Sequence, residues 1–109
     1  MASHEEAALL MDIMNWSNGL GAVDASLALM SPDFDPDSAS PLDRSVFVLL
    51  LMGETIGTFT KQGLIDPALV NDLWAADLVW ARVGPAALRQ REQVGDPQLW
   101  ENFELLAQG

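Results

Sequence analysis

Two carboxylates that interrupt apolar stretches are the side chains most able to do chemistry in this sequence. Glu54 follows the apolar run Val46–Met52 after one glycine, and it shares a stripe of its predicted helix with Asp43 and Lys61. A stripe of charged residues is typical of a helix face that contacts solvent, and we predict this position for Glu54. The alternative prediction places Glu54 in a ligand-binding site. A further hypothesis makes Glu54 or Asp77 the general base of a hydrolase.

Asp77 falls on the apolar side of its predicted helix. A buried carboxylate must be paired or protonated, because an unpaired charge is very unfavourable in an apolar interior. The sequence therefore predicts an ion pair between Asp77 and Lys61, Arg44 or Arg89. The alternatives are a partly exposed interface position and a catalytic acid. We also include Asp77 among the candidate ligand-binding residues.

Three tryptophans, Trp74, Trp80 and Trp100, lie on apolar faces of the predicted helices. Aromatic side chains at helical spacing are typical of a core. As an alternative, the same three indoles line a ligand pocket between helices, together with Glu54 and Asp77. Such a pocket would make the chain a small-molecule or metal-ion sensor, which is the alternative function predicted here.

Composition restricts the remaining chemistry. The 109-residue chain has one histidine and no cysteine, which excludes disulfides, cysteine zinc sites and iron–sulfur clusters. Asp33, Asp35 and Asp37 alternate as in a calcium loop, but Ser38 stands where that loop needs glycine and Arg44 where it needs glutamate. We therefore predict no catalytic set, no metal site and no cofactor, and we do not predict an enzyme.

The charge of the chain is strongly negative and unevenly distributed. Sixteen acidic residues against five basic ones give a formal net charge of −11, which opposes binding to nucleic acids and to anionic membranes. Residues 1–43 hold eight acids and no Lys or Arg, and all five bases lie from Arg44 onward. This predicts that the basic region docks on the acidic one, in the same or another copy, or that the acidic surface receives a basic partner.

Hydrophobic periodicity and capping residues predict helices and no strand. Ser3 and Glu6 form a capping box for the first helix, Asp24 is expected to cap the second, and Ser40–Pro41 to open the third. The pair Gly84–Pro85 is expected to separate the fourth helix from the fifth. The predicted helices span about 4–17, 24–30, 41–62, 66–83, 85–93 and 96–107, with an acidic loop at 31–41. We predict a single all-α domain over residues 1–109, a compact bundle of five to six helices.

The third predicted helix, about 41–62, is apolar over more than half of its circumference. It should therefore be the central helix, covered by several neighbours. Gly53 and Gly57 share one of its faces, although glycine lowers helix propensity by up to ~1 kcal/mol. Close approach of another backbone, in the same chain or in a partner, explains them. We predict an interface at Gly53, Gly57, Leu49 and Val46, because a domain of this size buries only about 60% of its unfolded surface.

The longest apolar run has seven residues, whereas a membrane helix needs about 20. No basic segment precedes an apolar run at the start of the sequence, so no secretory signal is expected. We expect a cytoplasmic protein that does not bind membranes.

Short stretches between residues 53 and 107 share the pattern of a known family. They are Gly53–Gly57, Gly63–Asp66, Leu69–Val70, Asp72–Trp74, Trp80, Pro85, Arg91, Asp96–Pro97, Leu99–Glu104 and Leu106–Ala107. In these stretches the chain resembles a bacterial family of domains of unknown function, number forty-seven-sixty in that series. The resemblance implies an all-helical bacterial protein and assigns no activity. It draws attention to Glu54, Asp72, Glu101, Asn102 and Glu104.

These observations favour a non-enzymatic helical protein-interaction domain. The expected partner is another protein or a second copy of the chain, and self-association through the face of the central helix is the preferred form.

Overall fold

The computed structural model describes residues 1–109 as six helices without a strand. The helices are α1 (His4–Gly19), α2 (Ala22–Met30), α3 (Arg44–Lys61), α4 (Pro67–Leu73), α5 (Ala76–Val94) and α6 (Glu101–Ala107). The predicted all-α class is confirmed. None of the six helices combines the length and the apolar character that a bilayer-spanning helix requires.

The first two helices form a hairpin that begins as the sequence predicts. The Ser3 side chain accepts a hydrogen bond from the backbone N–H of Glu6, and the Glu6 carboxylate accepts one from the backbone N–H of Ser3, which completes the capping box. The prediction that Asp24 caps α2 is wrong. Gly21, at φ 90°, turns the chain in the left-handed region, so that α2 already begins at Ala22.

α3 is the central helix, as predicted. It packs against α1, α2, α5 and α6, and Leu49, Leu50 and Ile56 are fully buried. Its start differs from the prediction, because Ser40 and Asp43 close a turn before the helix. The Ser40 N–H donates to the Asp43 carboxylate over 3.1 Å, and α3 begins only at Arg44. Residues 40–43 therefore form this turn and not the first turn of the helix.

α4 and α5 divide the chain at a place the sequence analysis did not predict. The predicted break at Gly84–Pro85 is wrong, because α5 continues through Pro85. Proline deprives only the Ala81 carbonyl of its helical donor, and the flanking turns are well packed. The helix is instead interrupted at Trp74–Ala75, where Trp74 adopts an extended conformation at φ −135°. Its indole stacks on Phe103 with ring centroids 5.7 Å apart, a tertiary contact that local sequence does not reveal.

α6 begins later than predicted. The Asp96 carboxylate accepts a hydrogen bond from the backbone N–H of Gln98, but the segment forms a turn and not the first turn of a helix. Trp100 then takes a left-handed conformation at φ 62°. Its indole N–H donates to Gln90 over 2.8 Å, and the side chain is buried. This anchorage holds a backbone conformation that is otherwise uncommon for tryptophan.

Candidate functional site

Glu54 anchors the start of α6. Its Oε1 atom accepts hydrogen bonds from the backbone N–H groups of Asn102 and Phe103, each over 3.0 Å. The first N–H groups of a helix have no acceptor within the helix, and Glu54 supplies one from α3. Burial raises the pKa of the Glu54 carboxyl, the two backbone donors oppose that effect, and the nearby charge of Glu101 adds to it. The carboxylate is thus engaged inside its own chain.

Further polar contacts fasten α6 to α3 and α5. The Asn102 amide donates to the Thr58 hydroxyl over 2.9 Å. Arg91 donates through Nε to the Leu99 carbonyl over 2.6 Å and forms a salt bridge of 3.1 Å with Glu104. The arrangement holds the last helix in place from two sides, which is a structural task.

The glycines of α3 allow α6 to approach. A Cβ atom on Gly57 would overlap the backbone carbonyl of Asn102, and one on Gly53 would overlap the ring of Phe103. The close approach expected from the sequence therefore occurs within one chain. Val46 and Leu49, the other two predicted interface residues, are buried in the core. All four are thus interior positions of the single chain.

Two of the three tryptophans share one aromatic neighbour in the core, and the third lies apart from them. Trp74 and Trp80 both pack against Phe103, with ring centroids 5.7 and 5.1 Å from it. Trp100 instead meets Phe47 edge-on at 6.0 Å. Their contacts are those of core side chains.

The prediction that Asp77 is buried in an ion pair is wrong. Asp77 is exposed, because α5 begins at Ala76 and turns that residue inward instead. The three proposed partners bond elsewhere. Arg44 and Arg89 donate to backbone carbonyls, and Lys61 lies 3.9 Å from a glutamate of α6.

An open apolar groove runs between α1 and α4. Its volume is about 310 Å³, and its lining is almost entirely apolar. The lining residues are Ala7, Leu10, Met11, Leu69, Asp72 and Leu73. Leu10 is buried and forms the floor, whereas Met11 is 50% and Leu73 is 55% exposed. We call this feature the α1–α4 groove.

Sequence analysis did not identify the α1–α4 groove. Ala7, Leu10 and Met11 show helical spacing, and Leu69 and Leu73 stand four residues apart. This signal shows that each helix has an apolar face, but not that the two faces stop short of closing on one another.

Acidic residues border the α1–α4 groove. Asp72 belongs to its lining, Glu6 and Asp66 lie where α1 meets the start of α4, and neither helix has a Lys or Arg. Glu6 also ties the two helices together, because its Oε1 accepts a hydrogen bond from the Asp66 backbone N–H over 2.8 Å. The hydrogen bond from the backbone N–H of Ser3 contributes most to lowering the pKa of the Glu6 carboxyl.

The basic helix α5 is engaged with the acidic part of the same chain through backbone atoms. Arg82 donates to the carbonyl of Ser31 over 3.3 Å, and Arg89 donates to the carbonyls of Pro36 and Ala39. Neither arginine forms a salt bridge with an aspartate of the loop; the two salt bridges of the chain are Lys61–Glu101 and Arg91–Glu104. The carboxylates of the N-terminal half thus keep no cationic side chain within 4.0 Å of them.

The structure brings no three His, Asp or Glu side chains together in a way that could hold a metal ion. In the comparison with known families, a model described as a domain of unknown function (DUF4760) matches residues 9–109. No curated protein and no solved structure matches the chain.

Proposed function

Since the chain belongs to the DUF4760 family, whose description assigns no function, we propose a function from the surface of the molecule. The chain is a non-enzymatic helical domain that binds another protein in the α1–α4 groove. The single observation that supports this most directly is the exposure of Met11 and Leu73 above an apolar floor.

The shape of the groove suits a protein ligand. An open apolar trough between two helices is the geometry in which an amphipathic helix of a partner docks. Large exposed apolar side chains that line one concavity are also more typical of interaction sites than scattered surface leucines. Of the two carboxylates considered as catalytic bases, Glu54 holds α6, and Asp77 is exposed and lines a pocket with Trp74.

A paired substitution tests this function. Leu73→Ser changes the groove, and Leu78→Ser is the matched control, because Leu78 is 59% exposed and lies outside the groove lining. Tagged wild-type and variant chains are used to isolate partners from the organism that encodes the protein, and each protein found is purified and rebound. The proposal predicts a purified partner that Leu73→Ser loses and Leu78→Ser keeps. Equal recovery of every partner by the two variants contradicts it.

A further inference from the structure

We propose that the α1–α4 groove binds an amphipathic helix whose polar flanks carry Lys and Arg. This inference rests on the proposed function and adds the chemistry of the partner. It combines two independent properties of the groove, its apolar lining and the sign of the charges around it.

The size of the groove sets the length of helix that it can engage. α4 has seven residues, so at 1.5 Å per residue it forms a wall of roughly 10 Å, or about two helical turns. The groove volume of about 310 Å³ admits roughly two side chains of benzene size. The partner helix should therefore present apolar residues at positions i, i+3 or i+4, and i+7.

The charge around the groove selects the flanks of that helix. Asp72 lines the groove and is exposed, and neither Asp72 nor the neighbouring Glu6 and Asp66 takes part in a salt bridge of the chain. With no Lys or Arg on α1 or α4, the Asp72 carboxylate is available to a cation of a partner, and Glu6 and Asp66 add negative charge at one end of the groove. Opposite charges at the rim favour association and fix its register, whereas like charges oppose it.

A second copy of the chain fits this site poorly. Two chains of net charge −11 repel one another at moderate ionic strength. The one helix that is rich in arginine is α5, and Arg82, Arg89 and Arg91 all donate hydrogen bonds within their own chain. A second copy thus has no free basic helix to place in the groove, and the partner must bring one.

The test measures binding of synthetic helices to the full chain by fluorescence anisotropy. The probe peptide has leucines at i, i+3, i+4 and i+7 and lysines on its flanks. One control keeps the leucines and replaces the lysines with glutamates, and another scrambles the probe so that the leucines no longer share a face. We expect the probe to bind at least about tenfold more tightly than either control. Its affinity should fall as salt is added.

Variants locate the binding on the chain. Leu73→Ser should weaken binding of the probe peptide by about tenfold, since an apolar contact of the groove is lost. Leu78→Ser should leave the affinity for the probe unchanged. Asp72→Asn should weaken binding and reduce its salt dependence, whereas Asp77→Asn, at an exposed site outside the groove lining, should do neither. Circular dichroism confirms that each variant is folded.

The outcomes separate this inference from the proposed function. Equal binding of the scrambled peptide, or equal binding by Leu73→Ser and wild type, means general charge attraction only and overturns the inference. If the glutamate peptide binds better and Leu73→Ser abolishes that binding, the groove is an interaction site but its partner is not basic. A dimer that light scattering detects and that Leu73→Ser disrupts would likewise show that the groove is an interaction site whose partner is not a basic helix. If no peptide binds, no dimer forms and no cellular partner depends on Leu73, both proposals fail.

Discussion

Glu54 is partly buried, and its carboxylate accepts hydrogen bonds from two backbone amides at the start of α6. The same atom accepts from Asn102 and Phe103, so loss of this side chain affects a helix and not only a charge. The sequence marks Glu54 as unusual, since it is an acid in an apolar helix. It does not reveal the reason, because the donors lie in a segment far along the chain.

Replacement of Glu54 should distinguish the role of the oxygen from that of the charge. Glu54→Ala leaves two backbone N–H groups without an acceptor and should lower the free energy of unfolding by about 2–4 kcal/mol. Glu54→Gln retains an acceptor oxygen, so its free energy of unfolding should fall far less. Urea denaturation at neutral pH compares the three proteins. Equal stability of the alanine variant and the wild type would show that the two hydrogen bonds contribute little.

The raised pKa of Glu54 should make the stability of the chain depend on pH in a predictable direction. Burial raises the pKa of this carboxyl in the folded chain, so between the unfolded and the folded pKa the folded state binds more protons. Stability due to this group therefore falls as pH rises from about 4.5 through the folded pKa. Glu54→Gln removes that loss, so its stability relative to wild type should increase over this range. A constant difference, measured by urea denaturation at several pH values, would contradict the assignment.

Gly57 should tolerate no side chain, because its neighbour is backbone. A Cβ atom there would overlap the carbonyl of Asn102, and such overpacking destabilises a core by about 1–3 kcal/mol. Gly19→Ala is the control, since nothing lies within 4 Å of its Cβ position, and its stability should stay level or rise slightly. Thermal unfolding followed by circular dichroism provides the comparison. A Gly57→Ala variant as stable as wild type would exclude a tight contact between α3 and α6.

At the scale of elements, helix ends set by local chemistry could be predicted from sequence. The capping box before α1 is confirmed, and the predicted helix start at residue 66 agrees with α4, for which Asp66 is the N-cap and Pro67 the first residue. These ends depend on residues within a few positions of one another.

Helix ends set by tertiary contacts could not be predicted in this way. The interruption at Trp74–Ala75 depends on stacking against Phe103, and the late start of α6 depends on the anchorage of Trp100 by Gln90. For the same reason the sequence favoured a buried Asp77 over an exposed one, since the exposure of Asp77 follows from where α5 begins. The α1–α4 groove is likewise a property of how two helices are spaced, which their separate sequences do not specify.

Hydrogen exchange should separate α4 from α6, although both have seven residues. α4 buries only Val70, whereas α6 buries Phe103 and Leu106 and is anchored by Glu54. We therefore expect the amides of α4 to exchange faster than those of α6, because few buried contacts oppose local opening. Glu54→Ala should accelerate hydrogen exchange of the α6 amides and leave exchange of the α4 amides unchanged. Exchange of α6 before α4 in the wild-type chain would contradict this order.

At the scale of the whole molecule, most of the apolar surface of α3 is used for the core. Its apolar residues are largely buried by the chain itself, with Phe47 40% exposed, so the strongest hydrophobic signal in the sequence builds the core. Among the large apolar side chains that remain exposed, Met11 and Leu73 line the α1–α4 groove beside Asp72. The proposed partner site therefore rests on this groove and not on the apolar central helix.

The central claim is that the α1–α4 groove is the surface on which a partner helix docks. Heteronuclear NMR spectra of the isotopically labelled chain, recorded while the basic amphipathic peptide is added, test it residue by residue. We predict that the largest shifts fall at Ala7, Leu10, Met11, Leu69 and Leu73, with little change at Leu78. Shifts centred on another face, or spread evenly over the acidic residues, would contradict the account.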